Sequence, residues 1–288
     1  MPPPIVTRFA PSPTGYLHLG HAASALTGWQ AARKAPRGRF LLRIEDIDRT
    51  RCRPEYEQAI LEDLGWLGLE WEQPVRRQSE HGADYRAALG RLAGRGVLYP
   101  CFCTRAAIAA EIAAAGAAPH GADGPLYPGL CRRLDPAQRA ARLAAGEPHA
   151  LRLDAAAAAA AVGPLAWEEK GEGRVAVVPG ALGDVVLARK DIAASYHLAV
   201  VVDDALQGIT LVTRGRDLFS ATHVHRLLQA LLDLPTPTYH HHLLLADATG
   251  RRLAKRTGAL GLRQLRAAGR TPAEVRALAG FAAPKAAP

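Results

Sequence analysis

The sequence predicts an α/β fold built around a parallel sheet, and three apolar segments followed by polar residues indicate it. Residues 5–9 read as a short buried strand that leads into a helix over 19–34. Residues 39–44 and 209–213 read as two further buried strands, followed at once by Glu45 and Arg214. In open α/β sheets, ligands bind beyond the carboxyl ends of the strands. We therefore expect the functional residues at one edge of this sheet.

The segment between the first strand and the first helix is suited to binding an anion. Pro11, Pro13 and Gly15 prevent helix formation until about residue 17. A helix N-terminus offers unpaired backbone N–H groups, and His18 and His21, three residues apart, can stand together there. The alternative is that the two histidines only cap the helix or pack against it.

This segment resembles the beginning of the glutamyl-type class I aminoacyl-tRNA synthetases. The string Arg8-Phe9-Ala10-Pro11-Ser12 is followed by an HLGH sequence from His18 to His21, which is similar to the "HIGH" box of that family. The resemblance implies a Rossmann-like parallel sheet of a class I synthetase catalytic domain. It also implies that ATP, accompanied by Mg²⁺, is cradled by His18, Gly20 and His21.

Glu45 and Arg214 are the two residues that the fold places beside a substrate. Glu45 could meet a substrate ammonium group, or could cap a helix predicted over 54–67. Arg214 carries a permanent charge on a planar guanidinium group that is suited to binding a carboxylate. The alternatives are a contact with phosphate or a surface ion pair with Asp217. The R-I-E-D-I-D and V-x-R-G-x-D strings resemble substrate-binding elements of the same family. They imply a glutamate pocket formed by Arg8, Phe9, Ala10, Pro11, Ser12, Glu45, Tyr196 and Arg214.

Three of the four cysteines lie close together in the sequence and are candidate metal ligands. Cys101-x-Cys103 and Tyr127-x-x-x-Cys131 provide three thiolates and a phenol, and zinc prefers thiolate ligands. Three reduced cysteines without a metal are the alternative. The string from Tyr127 to Cys131 is similar to the Y-x-G-x-C element of short glutamyl-synthetase-like enzymes. This implies one structural Zn²⁺ per chain, held by Cys101, Cys103, Tyr127 and Cys131, with His120 as the substitute fourth ligand.

Two further strings have contrasting interpretations. Three consecutive histidines, 240–242, lie in a predicted strand, where neighbouring side chains point to opposite faces, and we therefore reject a shared metal. The basic string from Arg252 to Arg256 resembles the second synthetase signature, "KMSKS", and implies that Lys255 approaches the triphosphate. Ala254 stands where that signature has a serine, which removes one possible hydrogen bond.

The composition is that of a globular protein with a basic charge balance. The chain has 288 residues, of which 49% are hydrophobic, a net charge of +9 and a pI near 9.8. A positive charge favours a polyanionic partner such as nucleic acid, although a genome that favours arginine codons would give the same charge balance. No leader or membrane-spanning run is visible, and we expect a cytoplasmic location without membrane contact.

The order of the segments predicts four parts. We expect the first half of the catalytic domain over 1–100, an insertion with the zinc-binding element over 101–190 and the second half over 191–245. The KMSKS-like loop and a short helical segment would occupy 246–288, with no anticodon-binding domain. Only residues 257–288 follow Arg256, whereas a full glutamyl-tRNA synthetase continues with a large helical portion.

The chain therefore resembles stand-alone members of the family that modify a tRNA anticodon. That resemblance implies ATP-dependent formation of glutamyl-adenylate and transfer of glutamate to the queuosine base in the anticodon stem-loop of tRNA(Asp), and we expect a monomer. Two alternatives remain, a truncated glutamyl-tRNA synthetase that charges a tRNA 3′ end and a catalytically inactive RNA-binding paralogue. His18, His21 and Lys255 argue against the inactive paralogue.

Overall fold

The structure is a computed structural model that describes residues 4–114, 120–121, 124–189, 194–245 and 261–281. Its strands are β1 Val6–Phe9, β2 Arg39–Ile44, β3 Glu72–Arg77, β4 Leu98–Cys101, β5 His120–Gly121, β6 Gly124–Pro125, β7 Ala150–Leu153, β8 Ala166–Glu169, β9 Gly173–Ala176, β10 Val186–Ala188, β11 Leu211–Gly215 and β12 Thr238–His242. Its helices are α1 Leu19–Lys34, α2 Pro54–Trp66, α3 Gly82–Gly94, α4 Arg105–Ala114, α5 Pro136–Ala144, α6 Ala155–Val162, α7 Tyr196–Leu206, α8 Ala221–Leu231, α9 Leu262–Ala267 and α10 Pro272–Leu278.

A mainly parallel sheet forms the centre of the protein. β1, β2 and β3 pair in that order, and β11, β12, β8 and β9 form a second ladder, in which β9 is antiparallel to β8. The two ladders meet where the Thr210 N–H donates to the Val6 carbonyl at 3.0 Å. The strand order is therefore β3-β2-β1-β11-β12-β8-β9, and this is the parallel α/β sheet that the sequence predicts.

Helix α1 lies so close to one face of the sheet that glycine is required at the contact. A Cβ atom at Gly28 would lie 2.8 Å from Thr213 Oγ1 and 3.3 Å from the Phe40 ring. The Thr7 hydroxyl also donates to the Gly28 carbonyl at 2.9 Å. Because side chains alternate along a strand, Thr7 faces α1 whereas Arg8 projects from the opposite face.

The opposite face of the sheet is covered by α7 and α8. Val6, Leu41 and Val212 on this face join one buried apolar cluster. α7 and α8 pack together through a second cluster, in which Val201 and Leu228 are almost fully buried. The arginine side chains on this face of β1, β2 and β11 therefore meet polar residues of these two helices.

Residues 98–188 contain a smaller sheet beside the main one. β4, β7 and β10 pair antiparallel in the order β10-β7-β4. β8 and β9 lie between β7 and β10 in the sequence but return to the main sheet, where Glu169 pairs with Tyr239 of β12. This return brings Glu169 close to the second half of the fold.

Most predicted elements are present with small shifts. The helix over 19–34 and the strand over 39–44 are confirmed, and the helix that the family resemblance implies near Tyr196 is α7. The strand predicted over 209–213 runs instead from Leu211 to Gly215, because pairing with β12 continues as far as Gly215. Arg214 therefore lies inside the strand rather than after it. None of the helices within the described ranges combines the length and the apolarity needed to cross a bilayer.

Candidate functional site

A cavity of about 450 Å³ opens at the carboxyl ends of β1, β2, β11 and β12. This volume lies within the range of small-molecule sites. The structure brings to its wall all the predicted ATP and glutamate residues that belong to the described part of the chain: Arg8, Phe9, Ala10, Pro11, Ser12, His18, Gly20, His21, Glu45, Tyr196 and Arg214. Lys255 lies outside the described residues.

His18 and His21 stand together at the start of α1, as predicted, and both also cap the helix. Their rings stack with centroids 3.8 Å apart. His18 Nδ1 accepts from the Gly20 N–H at 3.1 Å, and His21 Nδ1 accepts from the His18 N–H at 3.2 Å. In the neutral rings Nε2 then carries the proton, and it is a donor suited to a phosphate oxygen. Capping and phosphate binding are therefore compatible roles for the same two rings.

The contact with the His18 ring favours glycine at position 20, in the first turn of α1. A Cβ atom there would lie 2.9 Å from Cε1 and 3.1 Å from Nδ1 of His18. The His18 ring is held by its capping bond, so a larger residue would displace the ring. Gly20 thus keeps His18 over the helix N-terminus.

Arg8 is held by a buried carboxylate of α7 that also binds Arg43 of β2. Its Nε and Nη2 atoms donate to the two Asp204 carboxylate oxygens at 2.9 and 3.2 Å, and Nη1 donates to the Thr213 carbonyl at 3.3 Å. Arg43 also donates to Asp204, at 2.7 Å, and to Glu45, at 3.2 Å. Arg8 and Arg43 lower the pKa of Asp204 against the opposing effect of burial, and Asp204 therefore remains ionised.

Glu45 is a carboxylate whose charge is only partly compensated. Its side chain is 9% exposed, and burial raises its pKa although the nearby Arg43 and Arg8 charges act in the opposite direction. A bound ammonium group would favour the ionised form of such an acid. The position of Glu45 on the cavity wall is therefore suited to binding a cationic group.

Arg214 differs from Arg8 because its described hydrogen-bond partners are uncharged. Nε donates to His241 Nε2 at 3.0 Å, and Nη2 donates to Thr222 Oγ1 at 2.7 Å. Nη1 donates to the Tyr196 hydroxyl at 3.2 Å and to His225 Nδ1 at 3.1 Å. Burial, followed by the Arg214 charge, lowers the pKa of His241 to about 4 and that of His225 well below its ordinary value. Both rings are thus neutral acceptors near pH 7.

A second cavity of about 340 Å³ adjoins the first. The two share Ser12, Glu45 and Tyr196 on their walls. Asp48 and Arg51 also line the second cavity and form an ion pair at 2.7 Å. A molecule in the second cavity would therefore reach the first one beside Glu45.

The four predicted zinc ligands converge in space. Cys103 Sγ lies 3.4 Å from Cys131 Sγ, and the Tyr127 hydroxyl lies 3.4 Å from Cys101 Sγ and 3.5 Å from Cys103 Sγ. The three sulfur atoms all lie within 4.8 Å of one another. A tetrahedral zinc with Zn–S bonds near 2.3 Å separates its sulfur ligands by about 3.8 Å. The residues thus fit a zinc ion, and they connect β4 to the segment that follows β6.

The residues that flank 246–260 lie at the main cavity or contact the segment that leads into α1. Leu244 and Leu245 line it before this segment. After the segment, Gly261 forms a bridge with His18, and the Leu262 N–H donates to the Leu17 carbonyl at 2.9 Å. The KMSKS-like string itself, including Ala254 and Lys255, lies outside the described residues.

Sequence analysis missed several residues that hold the arginines of this site. Asp204 had only a weak signal, a pair of acids near the end of an apolar run. His241 belongs to the histidine triplet, which the sequence does not link to Arg214. The rejection of a shared metal is supported, because His242 contacts Ser24 on the α1 face of the sheet whereas His241 contacts Arg214 on the opposite face. Glu169 had no signal in the sequence.

The chain is similar to known tRNA synthetases over nearly its whole length. Residues 4–280 match the model of the family "tRNA synthetases class I (E and Q), catalytic domain". The chain is 50% identical over 286 residues to the glutamyl-Q tRNA(Asp) synthetase of Rhodobacter capsulatus, which covers 96% of this chain and 100% of that protein. It is 46% identical over 278 residues to the protein of the same name in Symbiobacterium thermophilum, across 93% of this chain and 83% of that one.

A solved structure agrees with the fold. The glutamate tRNA ligase of Elizabethkingia meningosepticum CCUG26117, solved in complex with its amino acid, superposes with a TM-score of 0.75 at 28% identity. The match covers 89% of this chain and 53% of the ligase, so the chain spans about half the length of that solved protein. Taken with the cavity and its histidine, carboxylate and arginine walls, these similarities show that the chain belongs to the glutamyl-Q tRNA(Asp) synthetases, within the glutamyl and glutaminyl class I tRNA synthetase family.

Proposed function

We propose that this enzyme activates glutamate with ATP and transfers the glutamyl group to the queuosine base in the anticodon loop of tRNA(Asp). The observation that carries the proposal is that one cavity combines two features. One wall is the N-terminus of α1, which is suited to binding phosphate, and Glu45 and Arg214 lie on its other walls. The names of the Rhodobacter and Symbiobacterium relatives support the same activity.

The activation step needs positioning and neutralisation of charge. The α-carboxylate oxygen of glutamate attacks the α-phosphorus of ATP in line, the bond to the bridging oxygen breaks, and pyrophosphate leaves with the bonding electrons. His18 and His21 donate from Nε2 to phosphate oxygens, and the α1 N-terminus, with Gly20, lets the phosphates approach the backbone. Mg²⁺ that arrives with ATP supplies further neutralisation of phosphate charge when bound.

Glutamate is bound by opposite charges at its two ends. Glu45 binds the ammonium group, and Arg214, supported by Tyr196, binds the side-chain carboxylate. Arg8 and the residues Phe9, Ala10, Pro11 and Ser12 line the same cavity and complete the proposed pocket. This arrangement holds the α-carboxylate toward the histidines.

Lys255 is proposed to meet the triphosphate. The support is indirect: Leu244 and Leu245, before segment 246–260, line the cavity, and Gly261, after it, pairs with His18 of the cavity wall. A lysine in this segment would neutralise the charge that develops on the departing pyrophosphate.

The second cavity is the proposed entrance for the acceptor nucleoside. A hydroxyl oxygen of the nucleoside attacks the activated carbonyl carbon, the bond to the phosphate oxygen breaks, AMP leaves, and the hydroxyl proton is released. The acceptor must therefore come within bonding distance of the α-carbon end of glutamate, which Glu45 holds. The second cavity shares Glu45 and Ser12 with the first, which supports this assignment.

A structural Zn²⁺ is proposed at Cys101, Cys103, Tyr127 and Cys131. The convergence of three sulfur atoms and a phenol supports it, and bound zinc would stabilise the local fold without taking part in the reaction. We expect about one zinc per purified chain and a loss of zinc in Cys131→Ser, measured by elemental analysis. The Cys52→Ser variant is the matched control, and a zinc-free wild-type protein from zinc-replete medium would refute the site.

The function is tested by transferring radiolabelled glutamate to tRNA. We expect labelling of queuosine-containing tRNA(Asp), survival of the label after removal of the 3′-terminal nucleotides, and no labelling of queuosine-free tRNA. Labelling confined to the 3′ end would identify a conventional synthetase, and absence of glutamate-dependent ATP–pyrophosphate exchange would identify an inactive paralogue. We expect a monomer acting in the cytoplasm, where thiol ligands stay reduced.

A further inference from the structure

The guanidinium of Arg214 is buried without direct contact to a carboxylate among its described hydrogen-bond partners. Arg214 is 6% exposed, and its four described hydrogen bonds go to two imidazole nitrogens and two hydroxyl oxygens. A buried cation is costly unless a charge of opposite sign lies near it. The carboxylate that lies behind these neutral acceptors belongs to Glu169, which reaches Arg214 through His241.

Glu169 determines which nitrogen of His241 carries the proton. One Glu169 oxygen accepts from the His241 backbone N–H at 2.8 Å, and the other lies 2.7 Å from His241 Nδ1. The carboxylate accepts here, and Nδ1 must therefore be protonated. On the other side of the ring, Arg214 can only donate, and Nε2 must therefore be unprotonated. Both contacts require the same neutral tautomer.

The surroundings of Glu169 favour this arrangement. The Glu169 side chain is 1% exposed and the His241 side chain is fully buried. Trp167 Nε1 donates to the second Glu169 oxygen at 3.3 Å. The Thr222 hydroxyl, which accepts from Arg214, lies 3.3 Å from His241 Nε2 and can donate to it. Each polar atom in the series of hydrogen bonds that runs from Trp167 through Glu169 and His241 to Arg214 thus has a complementary partner.

A second imidazole pair holds the other side of the guanidinium. His225 Nδ1 accepts from Arg214 Nη1, which leaves Nε2 of His225 protonated in the neutral ring. This Nε2 lies 3.2 Å from His197 Nδ1 and donates to it. The orientation of Arg214 is therefore fixed from two sides by rings of defined tautomer.

We propose that Glu169 and His241 are positioning residues that aim Arg214 at the side-chain carboxylate of the substrate. Glu169 balances the arginine charge indirectly, through the imidazole of His241. Among the described contacts of the guanidinium, no carboxylate therefore competes directly with the substrate. The inference deepens the proposed function and rests on it, because it assumes that Arg214 binds the glutamate side chain. The dyad thus contributes to the preference for glutamate over glutamine.

The test replaces Glu169 by glutamine, which keeps the size and changes the proton pattern. The amide oxygen can still accept from the His241 backbone N–H, but its NH₂ group then faces Nδ1 and favours the opposite tautomer. His241 would present an N–H to the Arg214 N–H, and their hydrogen bond would be lost. We expect the glutamate KM in ATP–pyrophosphate exchange to rise about 10-fold to 100-fold, the range for a hydrogen bond to a charged group. We expect a much smaller change in kcat and in the KM for ATP.

Glu172→Gln is the matched control, because Glu172 lies in the same β8–β9 hairpin but pairs with Arg216 at the surface. It should leave the glutamate KM unchanged. Competition by glutamine, which lacks the side-chain charge, should be the same in Glu169→Gln as in the wild type. An unchanged glutamate KM with unchanged competition by glutamine in Glu169→Gln would overturn the proposal, as would a kcat for glutamate that falls by the same factor as 1/KM.

A second pair of variants keeps the test valid if Glu169→Gln folds poorly. In His241→Gln the amide oxygen can take the place of Nε2 and accept from Arg214, whereas the side chain of His241→Asn is one methylene too short. The glutamate KM should therefore rise less in His241→Gln than in His241→Asn, and the reverse order or equal values would contradict the inference.

The tautomer is measured independently of activity by ¹⁵N NMR of the imidazole nitrogens, with His241→Gln used for assignment. We expect His241 to be protonated on Nδ1 in the wild type, and a proton on Nε2 would overturn the inference. Wild-type protein with this tautomer but without glutamate-dependent exchange would instead refute the proposed function.

Discussion

Two arginines at the ends of neighbouring strands show how one cavity can use the same residue type in two ways. Arg8 of β1 is 5% exposed and Arg214 of β11 is 6% exposed, and both line the cavity. Arg8 is paired in a two-pronged contact with the Asp204 carboxylate. Arg214 is surrounded by uncharged acceptors, and the Glu169 carboxylate reaches it through His241. Burial is thus the same, but the charge compensation differs.

The difference indicates which cation is structural and which is available to a ligand. The charge of Arg8 is already neutralised, and with Arg43 it ties β1 and β2 to α7 through Asp204. The guanidinium of Arg214 is held in position by uncharged groups among its described partners. A substrate carboxylate can therefore neutralise its charge. We therefore expect changes around Arg8 to affect mainly stability, and changes around Arg214 to affect mainly glutamate binding.

The largest effect is expected for Asp204→Asn, which removes the carboxylate from two buried arginines. Breaking a buried ion pair by removing one partner costs about 3–5 kcal/mol of unfolding free energy. Asp233→Asn is the control, since Asp233 pairs with Arg95 at the surface with 69% of its side chain exposed, and it should cost about 0–1 kcal/mol. Urea unfolding measures both, and equal losses in the two variants would break the comparison.

The next effect is expected for Arg214→Lys, which keeps the charge but loses the planar fork. We expect glutamate to lose about 2–4 kcal/mol of binding free energy, seen as a rise of the glutamate KM, because a charged hydrogen-bonded pair is truncated. The unfolding free energy should fall by only about 1–3 kcal/mol, because the acceptors left behind are uncharged. A glutamate KM like that of the wild type would remove Arg214 from the pocket.

The pH dependence of stability should report the neutral imidazoles around Arg214. The pKa of His241 is lowered to about 4, so between about pH 6.5 and pH 4 the unfolded chain binds a proton that the folded chain does not. Stability therefore falls as the pH falls through this window, by about 1.4 kcal/mol per pH unit for this one ring. His225, whose pKa is also lowered, contributes with the same sign. Urea unfolding of His241→Gln should show a shallower slope by about one proton, and an identical slope would contradict a neutral His241.

The smallest effect is expected for Tyr196→Phe. This change removes one hydrogen bond at 3.2 Å to Arg214, at a residue that is 37% exposed. We expect a loss of about 0.5–1.5 kcal/mol, seen as a several-fold rise in the glutamate KM with unchanged unfolding free energy. A rise as large as that of Arg214→Lys would mean that Tyr196, rather than the imidazoles, positions the guanidinium.

The sequence alone was sufficient for features that are encoded locally. One short segment contains β1, the loop with Pro11 and Pro13, and the helix that begins beside His18 and His21. Within it, backbone restrictions and helix geometry act between residues that are close in sequence. The convergence of Cys101, Cys103, Tyr127 and Cys131 was likewise visible from spacing and resemblance. The sequence therefore determined the fold class and most of the cavity wall.

Only the tertiary structure decided how each arginine is compensated. Asp204 meets Arg8, and Glu169 meets His241, across large separations in the chain, and both contacts depend on strand order and on the face from which each side chain projects. Because side chains alternate, a shift of one residue in a strand would send His241 to the α1 face and separate it from Arg214. The short β8 sequence carries no signal for its partner or register, and the position of Glu169 was therefore fixed by packing rather than by local pattern.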